Sequence, residues 1–337
     1  MIENQIERVG AHLKLPVDRV RATVVLLDEG GTVPFIARYR KEATGMLDEV
    51  AVAAIRDRLA VLVELDDRRD AILKSLTERE LRTDDLREQV NSAESMTALE
   101  DVYLPFRPKR RTRATIARER GLEPLSEIIW TQTDVDIAAE AMPFVDESLG
   151  VANVDEALSG ARDILAERVS EDSAARGRVR ELFARQGVLR SRSVNDGEEA
   201  GAKYRDYFEW EEPLATAPSH RVLAMFRGEN ESFLSVRISP SEPAALEVLT
   251  GLFVTEDNPS AEQVGSAVDD SYKRLLGPAI EREARNAIKE RADRTAINVF
   301  AENLRELLLA PPLGRKIVLA ADPGFRTGAK IVVLDKQ

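Results

Sequence analysis

The stretch NVDEALSGARDILAERVSED, residues 153–172, decides the fold class. Asn153 and Glu156 stand at the spacing of a capping box. Ala157, Ala161, Ile164, Leu165 and Val169 then recur at the three- and four-residue intervals of one helical face. Working outward, the same period predicts a long helix over residues 48–79, on Val50, Ala54, Leu62, Leu65, Ile72, Leu73 and Leu76. A second long helical tract runs over residues 268–309, where Gly277-Pro278 is expected to break or kink it near its start. Residues 2–27 read as a helix pair whose second member begins at Pro16 and ends before Gly30-Gly31. Because the solvent side of that pair carries Glu3, Glu7, Asp18 and Glu29, packing is preferred over a helix-turn-helix reader. Shorter helices are predicted at 84–89, 98–104, 114–120, 124–131, 134–141 and 173–186.

Strand signals are few, and aromatic residues make up only 5% of the chain, so an all-β protein is excluded in favour of a mainly α, elongated scaffold with long helices. Residues 32–40 read as extended, with Phe35, Ala37 and Tyr39 on one side and Arg38 and Arg40 on the other. GVLRSRSV, residues 187–194, reads as a strand or extended edge. One central β-hairpin is predicted in HRVLAMFRGENESFLSVRI, residues 220–238, around Gly228-Glu229-Asn230. NDGEEAGAK, residues 195–203, reads as a linker. The expected domains are therefore 1–194, with the helix-turn-helix-like pair at 1–30, then 195–315 with the hairpin and long helix, then 316–337.

The 337 residues suffice for two or three domains with sizeable cores. No apolar run approaches the roughly 20 residues needed to cross a bilayer, and the acidic start lacks the order of a secretory signal, so the expected location is the cytoplasm, with no membrane partner. The absence of cysteine and the isolation of the two histidines, His12 and His220, remove thiol chemistry and His-rich metal centres. A net charge of −12 repels phosphate at long range, so any nucleic-acid contact has to be local. Phosphate loops, dinucleotide fingerprints, HExxH and GxSxG are all absent from the sequence.

The densest positive segment is YLPFRPKRRTRATIARERG, residues 103–121, where Arg107, Lys109, Arg110, Arg111, Arg113, Arg118 and Arg120 are opposed only by Glu119. Guanidinium groups fork onto phosphate oxygens, and Pro105 and Pro108 keep the loop extended, so a polyanion site is one reading. An internal clamp onto the acids of neighbouring helices is the other, and both stay open. A second basic motif, PFIARYRKEATGMLDE, residues 34–49, supplies Arg38, Arg40 and Lys41, with structural anchoring preferred over ligand contact. The C-terminal stretch KIVLAADPGFRTGAKIVVLDKQ, residues 316–337, sets Asp322 after an apolar strand and before Pro-Gly. There a turn role is preferred over metal ligation.

VPFIARYRKEATGMLDE, EDVYLPFRPKRRTRATIARERGLEPL and LAADPGFRTGAKIVVLD, together with the capped helix at 153, resemble the Tex family of transcription accessory proteins in long segments and in the family's order. The resemblance covers essentially the whole chain. It implies that residues 1–194 are the family's N-terminal region, and that 316–337 open a YqgF domain of RNase H-like α/β fold, with Asp322 at the position of its first metal-ligating aspartate. It implies a bacterial protein associated with RNA or DNA and with the transcription machinery. The helix-hairpin-helix and S1-type modules that follow in the family do not occur here, so a truncated chain is expected. Its last two strands would then be disordered, borrowed, or paired only with each other.

The resulting expectation is a nucleic-acid-associated scaffold that is not itself an enzyme. Its candidate contacts are Arg107, Lys109, Arg110, Arg111, Arg113, Arg38, Arg40 and Lys41. No cofactor is expected in this chain, and a divalent metal belongs only to the full-length protein. The alternatives are a metal-dependent nuclease beginning at Asp322 and a protein-interaction module of the transcription machinery.

Overall fold

A computed structural model describes residues 2–194, 199–324 and 328–336. Helix dominates, as the periodicity requires. In chain order the helices are α1 (Ile2–Leu13), α2 (Val17–Asp28), α3 (Val33–Tyr39), α4 (Glu49–Glu78), α5 (Asp84–Ser92), α6 (Met96–Tyr103), α7 (Arg113–Glu119), α8 (Glu123–Trp130), α9 (Ile137–Ala141), α10 (Val154–Glu171) and α11 (Ser173–Gln186). They continue as α12 (Ser219–Asn230), α13 (Glu242–Phe253), α14 (Pro259–Asp270) and α15 (Gly277–Leu309). The strands are β1 (Val188–Ser193), β2 (Glu209–Pro213), β3 (Leu234–Ser239), β4 (Val318–Gly324) and β5 (Gly328–Leu334). The chain divides into two compact units, one of Met1–Glu181 with Glu242–Ile280, the other of Leu182–Ser241 with Glu281–Gln337.

In the first unit α4 serves two cores. Its opening half buries Val52, Ile55 and Leu62 with Ile6, Val9, Val20, Val24 and Ile36 of α1–α3. Its closing half buries Leu65, Ile72 and Leu76 with Leu86, Val90, Leu99 and Tyr103 of α5 and α6. Asp48 starts the helix by accepting the Ala51 N–H at 2.8 Å. Val50 falls off the buried stripe and stands exposed.

Helix α10 begins at the expected cap, Asn153 accepting the Glu156 N–H at 2.9 Å while the Glu156 carboxylate reaches back to the Ala152 N–H. It is buried on more sides than its sequence pattern shows, because α7, α8 and α14 all pack on it. Gly160 is where one of those approaches is closest: a Cβ there would lie 2.3 Å from Leu122 Cδ1. Beyond α10, Asp101 of α6 lies buried, 2.6 Å from Arg176 Nε and 2.9 Å from Arg180 Nη2 of α11, which ties those two helices together. Between α14 and α15, a π turn over Ser271–Leu276 replaces the expected break. Pro278 has no N–H to return to the preceding turn, and a Cβ on Gly277 would lie 2.6 Å from the Tyr272 carbonyl oxygen.

In the second unit the sheet order is β2-β1-β3, antiparallel throughout. Here the sequence expectation needs correction, for the first arm of the central hairpin is helical. Residues 219–230 form α12, with Val222, Met225 and Phe226 buried at helical spacing after Pro218. Only the second arm is a strand, and its partner is β1 rather than the adjacent segment. An apolar run of this length does not distinguish strand from buried helix by itself. Of the expected linker, residues 195–198 lie outside the described residues. The chain from Glu199 to Tyr207 winds as 3-10 helix and buries Tyr204, whose ring centroid is 6.0 Å from that of Phe233. Among the described residues, strands β4 and β5 pair only with each other. Their ladder runs through Pro323 and Gly324, so the expected Pro-Gly turn is strand, and residues 325–327 lie outside the described residues.

Two glycines give opposite expectations for the same exchange. Alanine favours helix over glycine by about 1 kcal/mol, so Gly265→Ala in α14, with open space around it, is expected to raise the urea midpoint. Gly160→Ala is expected to lower it, since overpacking against the fully buried Leu122 costs about 1–3 kcal/mol.

Candidate nucleic-acid interface

The basic segment follows a 3-10 turn at Leu104–Phe106 that contains Pro105, and runs without helix until Thr112 caps α7. Thr112 Oγ1 accepts the Thr115 N–H at 3.0 Å and donates to Glu167 Oε1 of α10 at 3.0 Å. Ala114 and Ala117 are buried, which holds α7 against α10 and fixes where the preceding arginines emerge.

The structure divides the cations of this segment into two groups. Lys109 Nζ lies 2.5 Å from Glu171 and 3.4 Å from Glu167, and Arg118 Nη1 donates to Glu167 at 2.7 Å. These two are internal clamps. Arg111 pairs with Glu119 at 2.6 Å, but both side chains are well exposed, and such a pair contributes about 0–1 kcal/mol. Arg107 and Arg110 are exposed, and among the described residues their side chains make neither hydrogen bond nor ion pair. Arg113 is exposed and within electrostatic reach of Asp163.

Three acids of α10, Asp163, Glu167 and Glu171, stand four residues apart on one stripe and feel this arrangement differently. Burial pushes the Asp163 and Glu171 carboxyls up, Lys109 offsetting only part of the effect at Glu171. Burial would do the same to Glu167, yet the hydrogen bond from Arg118, the charge of Lys109 and the hydroxyl of Thr112 together hold it below its ordinary value. The stripe was legible as i, i+4 spacing in the sequence. What the sequence did not show was that it faces inward onto Lys109 and Arg118.

At the second basic motif, the extended reading of residues 32–40 is corrected to helix. Thr32 Oγ1 accepts the Phe35 N–H at 3.4 Å, Pro34 suits the first turn, and Val33, Ile36 and Ala37 go inward at helical spacing. Phe35 and Tyr39 therefore share an outer face that Ala37 does not, and Arg38, Arg40 and Lys41 are exposed beside it. Asp322 lies in β4 opposite Lys330 of β5. Among the described residues no group of three His, Cys, Asp or Glu is placed to hold a metal ion. No helix among them is long and apolar enough to cross a membrane.

Removing the Glu167 charge leaves Lys109 and Arg118 beside an uncharged amide, and Glu167→Gln is expected to cost about 1–3 kcal/mol in urea unfolding, against under about 0.5 kcal/mol for the exposed Glu119→Gln. Since the Glu167 carboxyl is depressed in the folded state, its contribution is complete at neutral pH and is lost as pH falls through that lowered value. The stabilities of wild type and Glu167→Gln are therefore expected to converge in acid.

Comparison with known proteins matches residues 3–77 to the Tex-like protein N-terminal domain and residues 132–300 to the family described as Tex central region-like. The chain is similar to protein YhgF of Escherichia coli, 43% identical over 337 residues, covering 97% of this chain and 44% of that protein. It is similar to transcriptional accessory protein Tex of Neisseria gonorrhoeae, 40% identical over 325 residues, covering 94% of this chain and 42% of that one. More distantly, it is similar to the human S1 RNA-binding domain-containing protein 1, 24% identical over 326 residues, covering 92% of this chain and 32% of that protein. The chain thus spans less than half the length of these relatives. The matched segments take in nearly all of α4 and the whole of α10, the two helices around which the first unit is built, and the chain belongs to the Tex family.

Proposed function

We propose that this chain is a helical scaffold that associates with RNA or DNA in the service of transcription and carries no catalytic step of its own. The observation that carries the proposal is the division within the basic segment. Buried acids claim Lys109 and Arg118, while Arg107 and Arg110 are left outward with no acidic partner among the described residues. In a chain of net charge −12, two outward guanidiniums held on a proline-stiffened loop make a local foothold for phosphate. Arg113 follows in the same segment, and Arg38, Arg40 and Lys41 form a second exposed basic group. The naming of one relative for transcription and of another for an S1 RNA-binding domain supports the same direction. The hairpin Val318–Leu334 opens an RNase H-like sheet in this scheme, and the protein works in the cytoplasm beside the transcription machinery.

A salt titration tests the proposal. The chain and its Arg107→Gln/Arg110→Gln/Arg113→Gln variant are titrated onto labelled RNA and DNA at several salt concentrations. Each phosphate contact removed is expected to flatten the log–log salt slope by about 0.7 on single strands and 0.9 on duplex, with affinity falling for every sequence alike. Unchanged affinity and slope in the variant would reject these arginines as the foothold.

A further inference from the structure

We propose that the outer face of α3 is a stacking site for unpaired nucleotides, with Phe35 and Tyr39 taking base faces and Arg19, Arg38, Arg40 and Lys41 taking phosphates. The inference rests on the nucleic-acid reading above and adds the strand type and the residues that read it. Helix α3 has no need of these two rings for its own packing, since Val33, Ile36 and Ala37 already fill the inward side. Phe35 nevertheless stands 42% exposed and Tyr39 70% exposed, on adjacent turns with ring centroids 5.6 Å apart and planes tilted by 43°. That tilt rules out a flush sandwich between them, and both rings stay exposed. The Arg40 guanidinium lies 5.6 Å from the Phe35 ring centroid, where a cation both stiffens the ring and sits beside any base stacked on it.

The turn that follows is built to stay put. Thr44 is fully buried, and its hydroxyl donates to the Lys41 carbonyl at 3.1 Å. Gly45 and Met46 both adopt positive φ, and the Arg19 side chain of α2 lies so close to Gly45 that a Cβ there would be 2.7 Å from its Nε. Arg19, Arg38, Arg40 and Lys41 are all exposed, and among the described residues none forms an ion pair. In a chain with acid to spare, four cations left unpaired around two exposed rings match a partner that brings both negative charge and flat faces. Bases in a duplex hide those faces and unpaired ones offer them, which selects single strands. An apolar protein partner would use the rings and leave the four charges unanswered, and an acidic one would answer the charges without the flat faces that stack on the rings.

The test uses the whole chain with a short unstructured RNA carrying 2-aminopurine and with a duplex of the same sequence. Phe35→Leu/Tyr39→Leu keeps the apolar character and removes the stacking. Single-strand affinity is expected to fall about tenfold or more, with the 2-aminopurine quench lost and duplex affinity unchanged. The salt slope is expected to hold, because the phosphate contacts remain. Phe35→Tyr/Tyr39→Phe keeps two rings and is expected to bind as wild type, which separates lost stacking from any local change in fold. Single-strand affinity equal to wild type in the leucine variant overturns the inference while leaving the arginine foothold standing. So does loss of a protein partner with single-strand binding intact. Wild type that binds neither nucleic acid removes the underlying reading and the inference with it.

Discussion

Glu167 has a side chain only 8% exposed, and a carboxylate held that far from water has to be matched by cations and hydrogen-bond donors. The sorting of the basic segment follows from this requirement. Lys109, Arg118 and Thr112 converge on the one group, which pins the start of α7 and the loop before it to α10. The loop is then no longer free to fold its remaining arginines inward. A buried ion pair is weak evidence for stability, since apolar residues of equal volume often do as well. Here its value is positional, because it sorts one run of basic residues into those that hold the fold and those that face solvent.

The same economy of position marks α3. A seven-residue helix contributes little stability by itself, and α3 persists because Thr32 caps it and Val33 and Ile36 join the core with α1, α2 and α4. Its outer residues are thereby released from structural duty. Two rings and a guanidinium on such a rigid, short element lose little freedom on meeting a ligand, which is the general advantage of a prearranged surface.

The long helices were legible because their apolar spacing persists over many turns. Helix α4 comes within a residue of its expected bounds, and α10 starts at its expected cap. Legibility failed where the evidence in the sequence was short. At residues 32–40 both a two-residue and a helical period fit the few apolar positions, and Thr32 with Pro34 settled the matter toward helix. At 219–230 the apolar run reads as a strand because a plausible turn follows, yet β3 pairs with a segment some forty-five residues earlier, in register from Val188↔Ser239 to Ser193↔Leu234. Of the candidate site, the cluster of cations was readable and its sorting was not. That sorting depends on Glu167 of α10 meeting Lys109 across a fold that local spacing does not encode.

The ribbon of β4 and β5 leaves Leu319, Ile331 and Val333 exposed, and both of its outer edges have no strand beside them among the described residues. Such a ribbon invites copies of itself. In dilute neutral solution the excess of carboxylates keeps molecules apart by mutual repulsion. As pH falls toward the isoelectric point, the net charge and with it the repulsion fade while the greasy ribbon remains, and in stronger acid the 48 basic residues restore repulsion through charge of the opposite sign. Clouding of the chain is therefore confined to a band of mildly acidic pH.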